Sequence, residues 1–324
     1  MSMRIAINGF GRIGMDLLKI IHDNKVDIDV IAINSNGNPD SDIPFFVHDP
    51  LHGTYKGNVN CTDGSLDFDG NKILYFHEKD VCKLPWKDLN VDIVIDTCGK
   101  SADKHISAGA KKVIITSPAD KPDAKIVMGI NQSVYNPEKH SIISLMNPAI
   151  NCIAPIVSII HKMFYILKGN ATIIEPYSGV DAFSSDLNAT KISNFSMAAG
   201  TSDIRTIGCI LPELQGKFNG ISLIAPTYAV SLADINMMVG KQTNVVGINE
   251  YLKEMAAGPY NGIIAINEKQ LPSSNYNGNM HSAIVEPRFT TVSAGNMIKI
   301  LAAYDEDYGY CNRIIDFIKY IASK

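Results

Sequence analysis

The amino-acid sequence predicts an α/β protein in which a parallel sheet domain is followed by a second, α+β domain with a mostly antiparallel sheet. Three observations support this prediction. Short apolar segments alternate with helix-like segments up to residue 145, a Gly-x-Gly-x-x-Gly motif follows the first of them, and longer strand-like segments appear after about residue 147. We therefore expect a first domain of residues 1–146 plus a C-terminal helix, 310–324, and a second domain of residues 147–309.

The first half of the chain contains short apolar segments that are typical of strands buried on both faces. Segments with helical spacing of apolar residues separate them, as expected for a parallel sheet covered by helices. Asp63-Gly64 and Asp69-Gly70 flank residues 65–68, and these turn signals predict an antiparallel insertion at the edge of the sheet. The predicted strands are residues 4–8, 28–34, 91–96, 112–115 and 141–144.

The second half begins with a predicted helix over residues 151–164 and continues with longer strand-like segments. Residues 220–226, 231–239 and 296–303 are the clearest of these segments, and they favour a mixed or antiparallel sheet. The last segment, residues 311–322, carries apolar residues at helical spacing. We expect this apolar stripe to pack against another part of the protein.

The composition is typical of a globular protein, with 46% apolar and 19% charged residues in 324 positions, which is enough for two domains. A net charge of -4 gives no electrostatic reason to expect binding to nucleic acid or to an anionic membrane. The sequence contains no apolar run of about 18 residues and no basic leader with a cleavage site, so we expect a cytoplasmic protein. The six cysteines lie far apart without a Cys-x-x-Cys pair, and we expect free, mostly buried thiols and no metal site.

The Gly-x-Gly-x-x-Gly motif, Gly9 to Gly14, follows the first predicted strand and opens a helical segment. Gly9 allows the tight turn, Gly11 lets the backbone approach a pyrophosphate, and Gly14 lets helix and strand pack closely. Free N–H groups at the helix N-terminus attract the phosphate oxygens. The motif therefore predicts a Rossmann-type dinucleotide site, with a glycine-rich turn that binds nothing as the simpler alternative.

The end of the second predicted strand leaves open the choice between NAD and NADP. An NAD site is expected to have an acidic residue there, which accepts hydrogen bonds from the adenosine ribose. The chain has Asn34 and Ser35 instead, so the charge that would repel a 2′-phosphate is missing. Residues 36–40 contain no Arg or Lys that would attract this phosphate, so both cofactors remain candidates.

The sequence resembles the glyceraldehyde-3-phosphate dehydrogenase family along its whole length. Residues 6–14 are similar to the start of these enzymes, and further motifs follow in the family's order at about the family's spacing. The resemblance implies a Rossmann domain, a catalytic and oligomerisation domain, and a homotetramer. The further motifs include His48-Asp49-Pro50-Leu51-His52-Gly53, Leu84-Pro85-Trp86, Met128-Gly129-Ile130-Asn131, Asn151-Cys152-Ile153-Ala154-Pro155, Leu211-Pro212-Glu213-Leu214 and Gly309-Tyr310-Cys311-Asn312-Arg313.

The resemblance aligns Pro148 with the family's nucleophilic cysteine. In the family this thiolate adds to the aldehyde, the adduct gives a hydride to the cofactor, and phosphate then cleaves the thioester. Proline has no group that can perform these steps. Cys152 is aligned with a second, structural cysteine of the family, one helical turn deeper, and we do not expect it to replace the nucleophile.

Other positions of the family's site differ as well. Glu175 is aligned with the catalytic histidine and becomes the candidate acid or base, although an ordinary carboxylate paired with a cation or facing water is the alternative. Ile224 is aligned with an arginine that helps bind anions, so a charge-assisted contact to phosphate is lost. Ser178 and Thr201 correspond to threonines that bind phosphate in the family.

The resemblance also implies a set of cofactor contacts. Glu306 is aligned with the asparagine that orients the nicotinamide amide. A carboxylate can accept a hydrogen bond from the amide NH2 but cannot donate one to its oxygen. The other residues expected to bind the cofactor are Gly9, Phe10, Gly11, Arg12, Ile13, Asn34, Ser35, Lys79, Thr97, Gly99 and Thr116.

Three functions follow as hypotheses. The first is a repurposed NAD- or NADP-dependent oxidoreductase that moves a hydride to or from a small non-phosphorylated carbonyl, alcohol or imine, without a covalent intermediate. The second is a pseudoenzyme that binds a dinucleotide and acts as a regulatory or scaffold protein. The third, a phosphorylating dehydrogenase, needs the thiol that Pro148 replaces. Because Glu175 and Glu306 add negative charge, we expect a neutral or cationic substrate, including amine-bearing ones.

Overall fold

The computed structural model describes residues 2–37, 39–62, 64–99, 101–116, 121–176, 196–197, 202–225, 230–269 and 271–324. The chain forms two compact units. The first unit comprises Met1–Ile126, Gln132–Met146 and Cys311–Lys324, and the second comprises Val127–Asn131 and Asn147–Tyr310. None of the helices in the described ranges combines the length and the apolar character that a bilayer crossing requires.

The first unit is built on a sheet with a parallel centre. Its strands are β1 (Met3–Asn8), β2 (Ile28–Asn34), β5 (Val59–Thr62), β6 (Ser65–Phe68), β7 (Asn71–Phe76), β8 (Ile93–Asp96), β9 (Lys112–Ile115), β10 (Ala124–Lys125) and β11 (Ile142–Ser144). The order across the described sheet is β10-β11-β9-β8-β1-β2-β7-β6-β5. Strand β1 pairs in parallel with β2 and with β8. The carboxyl ends of these three strands therefore meet at one edge.

Helices follow the central strands of this unit. They are α1 (Arg12–Asp23) after β1, α2 (Pro39–Val47) after β2 and α3 (Ala102–Ser107) after β8. Two short strands, β3 (His48–Asp49) and β4 (Gly53–Thr54), pair as a separate hairpin. This strand-helix alternation is the parallel architecture that the sequence predicted, because crossover helices join parallel strands.

The antiparallel insertion is confirmed at the edge of the sheet. Strand β6 pairs antiparallel with both β5 and β7, while β7 pairs in parallel with β2. The second turn contains Asp69 at φ 49° and Gly70 at φ 83°. Two consecutive positive φ values define the tight hairpin turn that Asp-Gly favours.

The core of the first unit lies on both faces of the parallel strands. Ile5, Ile7, Ile93 and Ile95 are all completely buried. Strands buried on both faces need continuous apolar segments instead of alternating ones. This requirement explains why the sequence predicted the central strands well.

The second unit is built on a mostly antiparallel sheet. Its strands are β12 (Ile166–Pro176), β13 (Ser196–Met197), β14 (Phe218–Ala225), β15 (Ser231–Val239), β16 (Ile264–Ile266), β17 (Ala283–Val285), β18 (Thr291–Ser293) and β19 (Met297–Tyr304). The order across the described sheet is β13-β14-β12-β15-β19-β17-β16, and β18 also pairs with β19. Strands β12 and β14 form a parallel pair, as do β16 and β17.

Helix α4 (Pro148–Phe164) covers one face of this sheet, packing against β12, β15 and β17. Along β15, Ser231, Ala233, Ile235 and Met237 are buried, while the residues between them are partly exposed. This period of two shows that one face of the sheet is packed, while the other is partly exposed in the part of the chain that the structure describes. The described residues of the unit also form the helices α5 (Ser202–Arg205), α6 (Ile207–Ile210) and α7 (Val245–Ala257).

The C-terminal helix α8 (Tyr308–Ala322) starts three residues earlier than the predicted segment. Its apolar stripe is buried, as expected: Ile314, Phe317 and Ile318 have no exposed surface. The ring of Phe317 lies edge-on to Tyr135 with ring centroids 5.5 Å apart. The stripe therefore packs within the first unit.

Two predictions from the sequence are wrong in detail. Helix α4 begins at Pro148 instead of residue 151, because the Asn147 side chain caps the helix and proline suits the first turn. The cysteines are free but not mostly buried. Cys152 and Cys311 are buried, whereas Cys82, Cys98 and Cys209 are exposed because they lie in short helical turns and a strand-end loop that the core does not cover.

Candidate functional site

The glycine motif has the geometry of a phosphate-binding turn. Gly9 has φ +103°, and a Cβ atom there would lie 2.1 Å from Thr97 Oγ1. A Cβ atom on Gly14 would lie 2.3 Å from the Gly9 carbonyl oxygen, so both positions require glycine. A Cβ atom on Gly11, in contrast, would have no described neighbour within 4 Å. Gly11 is therefore bordered by open space, which a ligand could use.

The N-terminus of α1 leaves hydrogen-bond donors available beside this turn. Gly11 is the N-cap residue, and among the described residues no side chain caps the helix. The first N–H groups of a helix lack partners within the helix and attract anions. The turn and the helix end together can hold a pyrophosphate.

A hydrogen-bond network fixes the strand ends around the turn. Asn34 Nδ2 donates to Asn8 Oδ1 at 2.8 Å, and Asn8 Nδ2 donates to Asp96 Oδ1 at 2.9 Å. Thr97 Oγ1 lies 3.0 Å from the carbonyl oxygen of Gly9 and donates to it. Two residues expected to bind the cofactor, Asn34 and Thr97, thus hold the turn in position.

The end of β2 carries a second network that the sequence did not predict. Ser35 Oγ donates to Asp42 Oδ2 at 2.6 Å, and Tyr75 OH donates to the same oxygen at 2.6 Å. Burial is the main cause that raises the pKa of Tyr75, and the hydrogen bond to Asp42 raises it further. This phenol therefore remains a donor. Asp42 thus places a carboxylate beside Ser35, although the sequence has none at the strand end.

The other expected cofactor contacts are spread around this edge of the first unit. Phe10 is buried, with its ring centroid 5.4 Å from that of Phe46, so its side chain belongs to the core. Arg12 is exposed at the start of α1, beside the partly exposed Ile13. Lys79 is exposed after β7.

Two further positions follow the neighbouring strands. Gly99, at φ 71°, lies in the loop after β8. Thr116 directly follows β9 and is 8% exposed. The sheet order therefore brings both close to the end of β1, because β8 lies next to β1 and β9 next to β8.

A polar cluster of the same unit has ligand types that suit a metal ion. Side-chain atoms of Asp16, Asp49 and His52 lie within 4.8 Å of one another. Lys19 Nζ, however, lies 3.0 Å from Asp49 Oδ2 and 3.6 Å from Asp16 Oδ1. Burial raises the pKa of Asp49, but hydrogen bonds from His52 and the charge of Lys19 lower it well below its usual value overall. The ammonium group provides the positive charge that a metal would bring, and we assign no metal here.

In the second unit, Pro148 is the first residue of α4. The Asn147 side chain accepts a hydrogen bond from the Ile150 N–H at 2.9 Å. Cys152 lies one turn further along the helix, with no exposed surface, and burial raises the pKa of its thiol strongly. The thiolate is the reactive form of cysteine, so a buried, protonated Cys152 is unsuited to nucleophilic attack.

Residues from four neighbouring strands form a row on the face covered by α4. Glu175 on β12 is the direct partner of Ile224 on β14, and Ser231 on β15 is the direct partner of Tyr304 on β19. Because Ile174 pairs with Leu232, the next positions, Glu175 and Ser231, are also neighbours. Paired residues point to the same side of a sheet.

The row ends in a buried phenol between acidic groups. Ser231 Oγ donates a hydrogen bond to Glu306 Oε1. Tyr304 is buried, and its pKa is raised by burial and then by the negative charges of the carboxylates Glu306 and Glu175. The predicted residues Glu175, Ile224 and Glu306 therefore lie in one cluster, which we call the acidic row together with Ser231 and Tyr304.

Ser178 and Thr201, the predicted phosphate contacts, lie outside the described residues. Ser231, Tyr304 and Asp42 are site residues that the sequence reasoning missed. The alternation along residues 231–239 would have shown that Ser231 faces the core. Asp42 had a weaker signal, an acidic residue eight positions after the strand end.

Comparison with known proteins identifies the family. Residues 3–104 match the glyceraldehyde 3-phosphate dehydrogenase NAD binding domain, and residues 149–306 match the C-terminal domain of the same family. The chain is 35% identical to glyceraldehyde-3-phosphate dehydrogenase of Geobacillus stearothermophilus, with 100% of this chain and 99% of that one covered. It is 34% identical to glyceraldehyde-3-phosphate dehydrogenase 2 of Nostoc sp. (strain PCC 7120), with 99% of each covered. The protein therefore belongs to the glyceraldehyde-3-phosphate dehydrogenase family of NAD-dependent dehydrogenases.

Proposed function

We propose that this protein is an oxidoreductase that transfers a hydride between a nicotinamide cofactor and a small, non-phosphorylated substrate, without a thioester intermediate. The observation that carries the proposal is the start of α4. Pro148 is its first residue, and the nearby Cys152 is buried and protonated. A member of this family without a reactive thiol at that point has no group to form the covalent adduct.

The cofactor side of the proposal rests on the first unit. The open space beside Gly11 and the uncapped start of α1 suit a pyrophosphate. Asn8, Asn34 and Thr97 hold the turn in the shape that this binding needs. When bound, the nicotinamide accepts or supplies the hydride, and the protein provides binding and orientation.

Glu175 is the proposed acid or base. In the oxidative direction, the substrate's C–H bond breaks with its electron pair leaving as hydride, and the hydroxyl or ammonium proton passes to the Glu175 carboxylate. A C=O or C=N bond forms, so charge and atoms balance. In the reductive direction, a protonated Glu175 returns the proton. The chemistry requires only positioning and proton transfer, with no covalent step.

The acidic row indicates the charge of the substrate. Glu175 and Glu306 contribute negative charge, while Ile224 contributes none. A phosphate would be repelled by these carboxylates, whereas an ammonium group would pair with them. We therefore propose a neutral or amine-bearing alcohol, carbonyl or imine as the substrate.

A homotetramer is proposed as well. The sheet face of the second unit opposite α4 carries partly exposed apolar side chains, among them Ile174, Ile221 and Leu232. An apolar sheet face is stabilised when another copy of the chain covers it. Light scattering after size-exclusion chromatography would measure a mass four times that of the chain, and a monomer would contradict this part of the proposal.

The test begins with calorimetric titration of the purified full chain with NADH and NADPH, followed by a spectrophotometric screen of alcohols, amines, carbonyls and imines. We expect cofactor binding and turnover of at least one non-phosphorylated compound. Glu175→Gln removes the proton acceptor while keeping the shape, and we expect a loss of about 100-fold or more in kcat. Glu213→Gln, the same change at an exposed site of the second unit, should have no effect.

Three outcomes would contradict the proposal. Absence of binding to either cofactor would remove the oxidoreductase function altogether. Binding without turnover of any compound would favour the alternative, a dinucleotide-binding pseudoenzyme with a regulatory or scaffold role. An acyl group trapped on a thiol during turnover of glyceraldehyde 3-phosphate would establish the phosphorylating reaction instead.

A further inference from the structure

The carboxylate of Asp42 lies at the carboxyl end of β2, held from two sides. Ser35 Oγ and Tyr75 OH each donate to its Oδ2 atom at 2.6 Å. Ser35 and Tyr75 are themselves buried, with 5% and 6% of their surface exposed. Two buried hydroxyl donors on one oxygen fix the position of this carboxylate and stabilise its charge.

The loop between β2 and α2 is shaped around the same carboxylate. A Cβ atom on Gly37 would lie 2.2 Å from Asp42 Oδ1, so a side chain there would require this carboxylate to move. The Gly37 N–H also donates to Ser35 Oγ at 3.0 Å. Loop, strand end and helix thus meet at Asp42, which comes seven residues after Ser35 in the chain.

We propose that Asp42 supplies the carboxylate that binds the adenosine ribose of the cofactor, replacing the acidic residue that β2 lacks, and that the protein therefore prefers NAD to NADP. This inference rests on the proposed cofactor binding. In a Rossmann domain the ribose hydroxyls donate to a carboxylate at the end of the second strand. Asp42 presents a carboxylate at the end of β2, but it does so from helix α2 instead of from the strand itself.

The oxygen available for the ribose is Oδ1. Oδ2 already accepts from Ser35 and Tyr75, whereas among the described residues Oδ1 accepts one long hydrogen bond of 3.3 Å, from the exposed Ser41 hydroxyl. A carboxylate oxygen can accept two hydrogen bonds, and a ribose hydroxyl is a suitable donor. Asp42 is partly exposed, so a ligand can reach it.

The charges of this region disfavour a 2′-phosphate. Residues 26–55 contain no Lys or Arg, so nothing in this stretch of sequence would neutralise the additional negative charge of NADP. Asp42 would repel it directly. The preference for NAD therefore follows from the Asp42 carboxylate and from the lack of Lys and Arg in residues 26–55.

The test compares NADH and NADPH affinities of the full-length protein by calorimetry, which does not depend on catalysis. We expect the wild-type protein to bind NADH about tenfold or more tightly than NADPH, and Asp42→Asn to reduce this ratio to within about threefold. Asp40→Asn is the matched control, because it removes the same charge from an exposed position of the same helix. The control should keep the wild-type ratio.

The wild-type ratio of NADH to NADPH affinity keeps the test decisive if Asp42→Asn does not fold, and a double variant adds a test by gain of preference. The double variant Ser35→Asp/Asp42→Asn moves the carboxylate to the strand end, and we expect it to restore the preference for NADH. Two results would overturn the role of Asp42 while leaving cofactor binding intact. One is equal binding of NADH and NADPH by the wild-type protein. The other is an equal change of the affinity ratio in Asp42→Asn and Asp40→Asn. Failure of the wild-type protein to bind either cofactor would overturn both proposals.

Discussion

Cys152 and Glu175 have opposite surroundings although both belong to the second unit. Cys152 has no exposed surface, and burial raises the pKa of its thiol, so it is a small core residue. Glu175 is partly exposed at the end of β12, between buried core positions of the same strand. At the scale of single residues, therefore, reactivity is decided by burial and by neighbouring charge.

We predict that Cys152 does not react with alkylating reagents in the native protein. Because Cys82, Cys98 and Cys209 are exposed, mass spectrometry after brief labelling should find adducts on these three and none on Cys152 or Cys311. Cys152→Ala should retain any hydride-transfer activity and lose about 1 kcal/mol of unfolding free energy, measured in urea. Rapid inactivation that maps to Cys152 would contradict this prediction.

At the scale of elements, the glycine turn between β1 and α1 combines two different requirements. Gly14 is needed for packing, because a Cβ atom would meet the Gly9 carbonyl oxygen at 2.3 Å. Gly11 is bordered by open space and has φ -91°, which any residue can adopt. Packing therefore accounts for Gly14, and the proposed phosphate binding accounts for Gly11.

This difference gives a paired prediction. Alanine has a higher helix propensity than glycine by about 1 kcal/mol, but overpacking against backbone costs about 1–3 kcal/mol, so Gly14→Ala should lower the free energy of unfolding. Gly11→Ala should leave stability within about 1 kcal/mol of wild type and weaken NADH binding about tenfold or more, because the methyl group occupies the space for phosphate. Urea unfolding and calorimetry separate the two effects. A stable Gly14→Ala variant would show that this turn can relax.

At the scale of the whole molecule, acid should destabilise the protein through a buried histidine. His105 has no exposed surface, and its Nδ1 accepts a hydrogen bond from Trp86 Nε1 at 2.9 Å. Burial lowers the pKa of His105 to about 4, although Asp96 and Asp103 act in the opposite direction. The unfolded chain, with a histidine pKa of about 6.5, binds more protons than the folded one between these values.

Stability from this group is therefore fully present above about pH 6.5 and is lost as the pH falls towards 4. We expect the Tm of the wild-type protein to fall between pH 7 and pH 5, and to fall less in His105→Gln, which has no titrating ring. His48→Gln, at an exposed position, serves as the control and should follow the wild-type slope. Parallel slopes for wild type and His105→Gln would exclude His105 as the cause.

The sequence alone determined the features that depend on neighbouring residues. Strand β9 was predicted at residues 112–115, the Asp-Gly turns located the hairpins of the edge insertion, and the glycine motif located the start of α1. These features follow from side-chain period and turn conformation, which are local properties. The alignment of Pro148 with the family's nucleophile position also depended only on residues close to it in the sequence, Asn151 to Pro155.

Only the tertiary structure decided which distant residues meet. The register of four strands brings Glu175, Ile224, Ser231 and Tyr304 into one row, and the path of a loop brings Asp42 to Ser35. No periodic pattern in the sequence predicts these contacts. Strand register depends on the packing of a whole sheet face, which involves residues far apart in the chain. The prediction that the cysteines are mostly buried was wrong for a related reason. Burial is a property of the folded chain and not of the residue type.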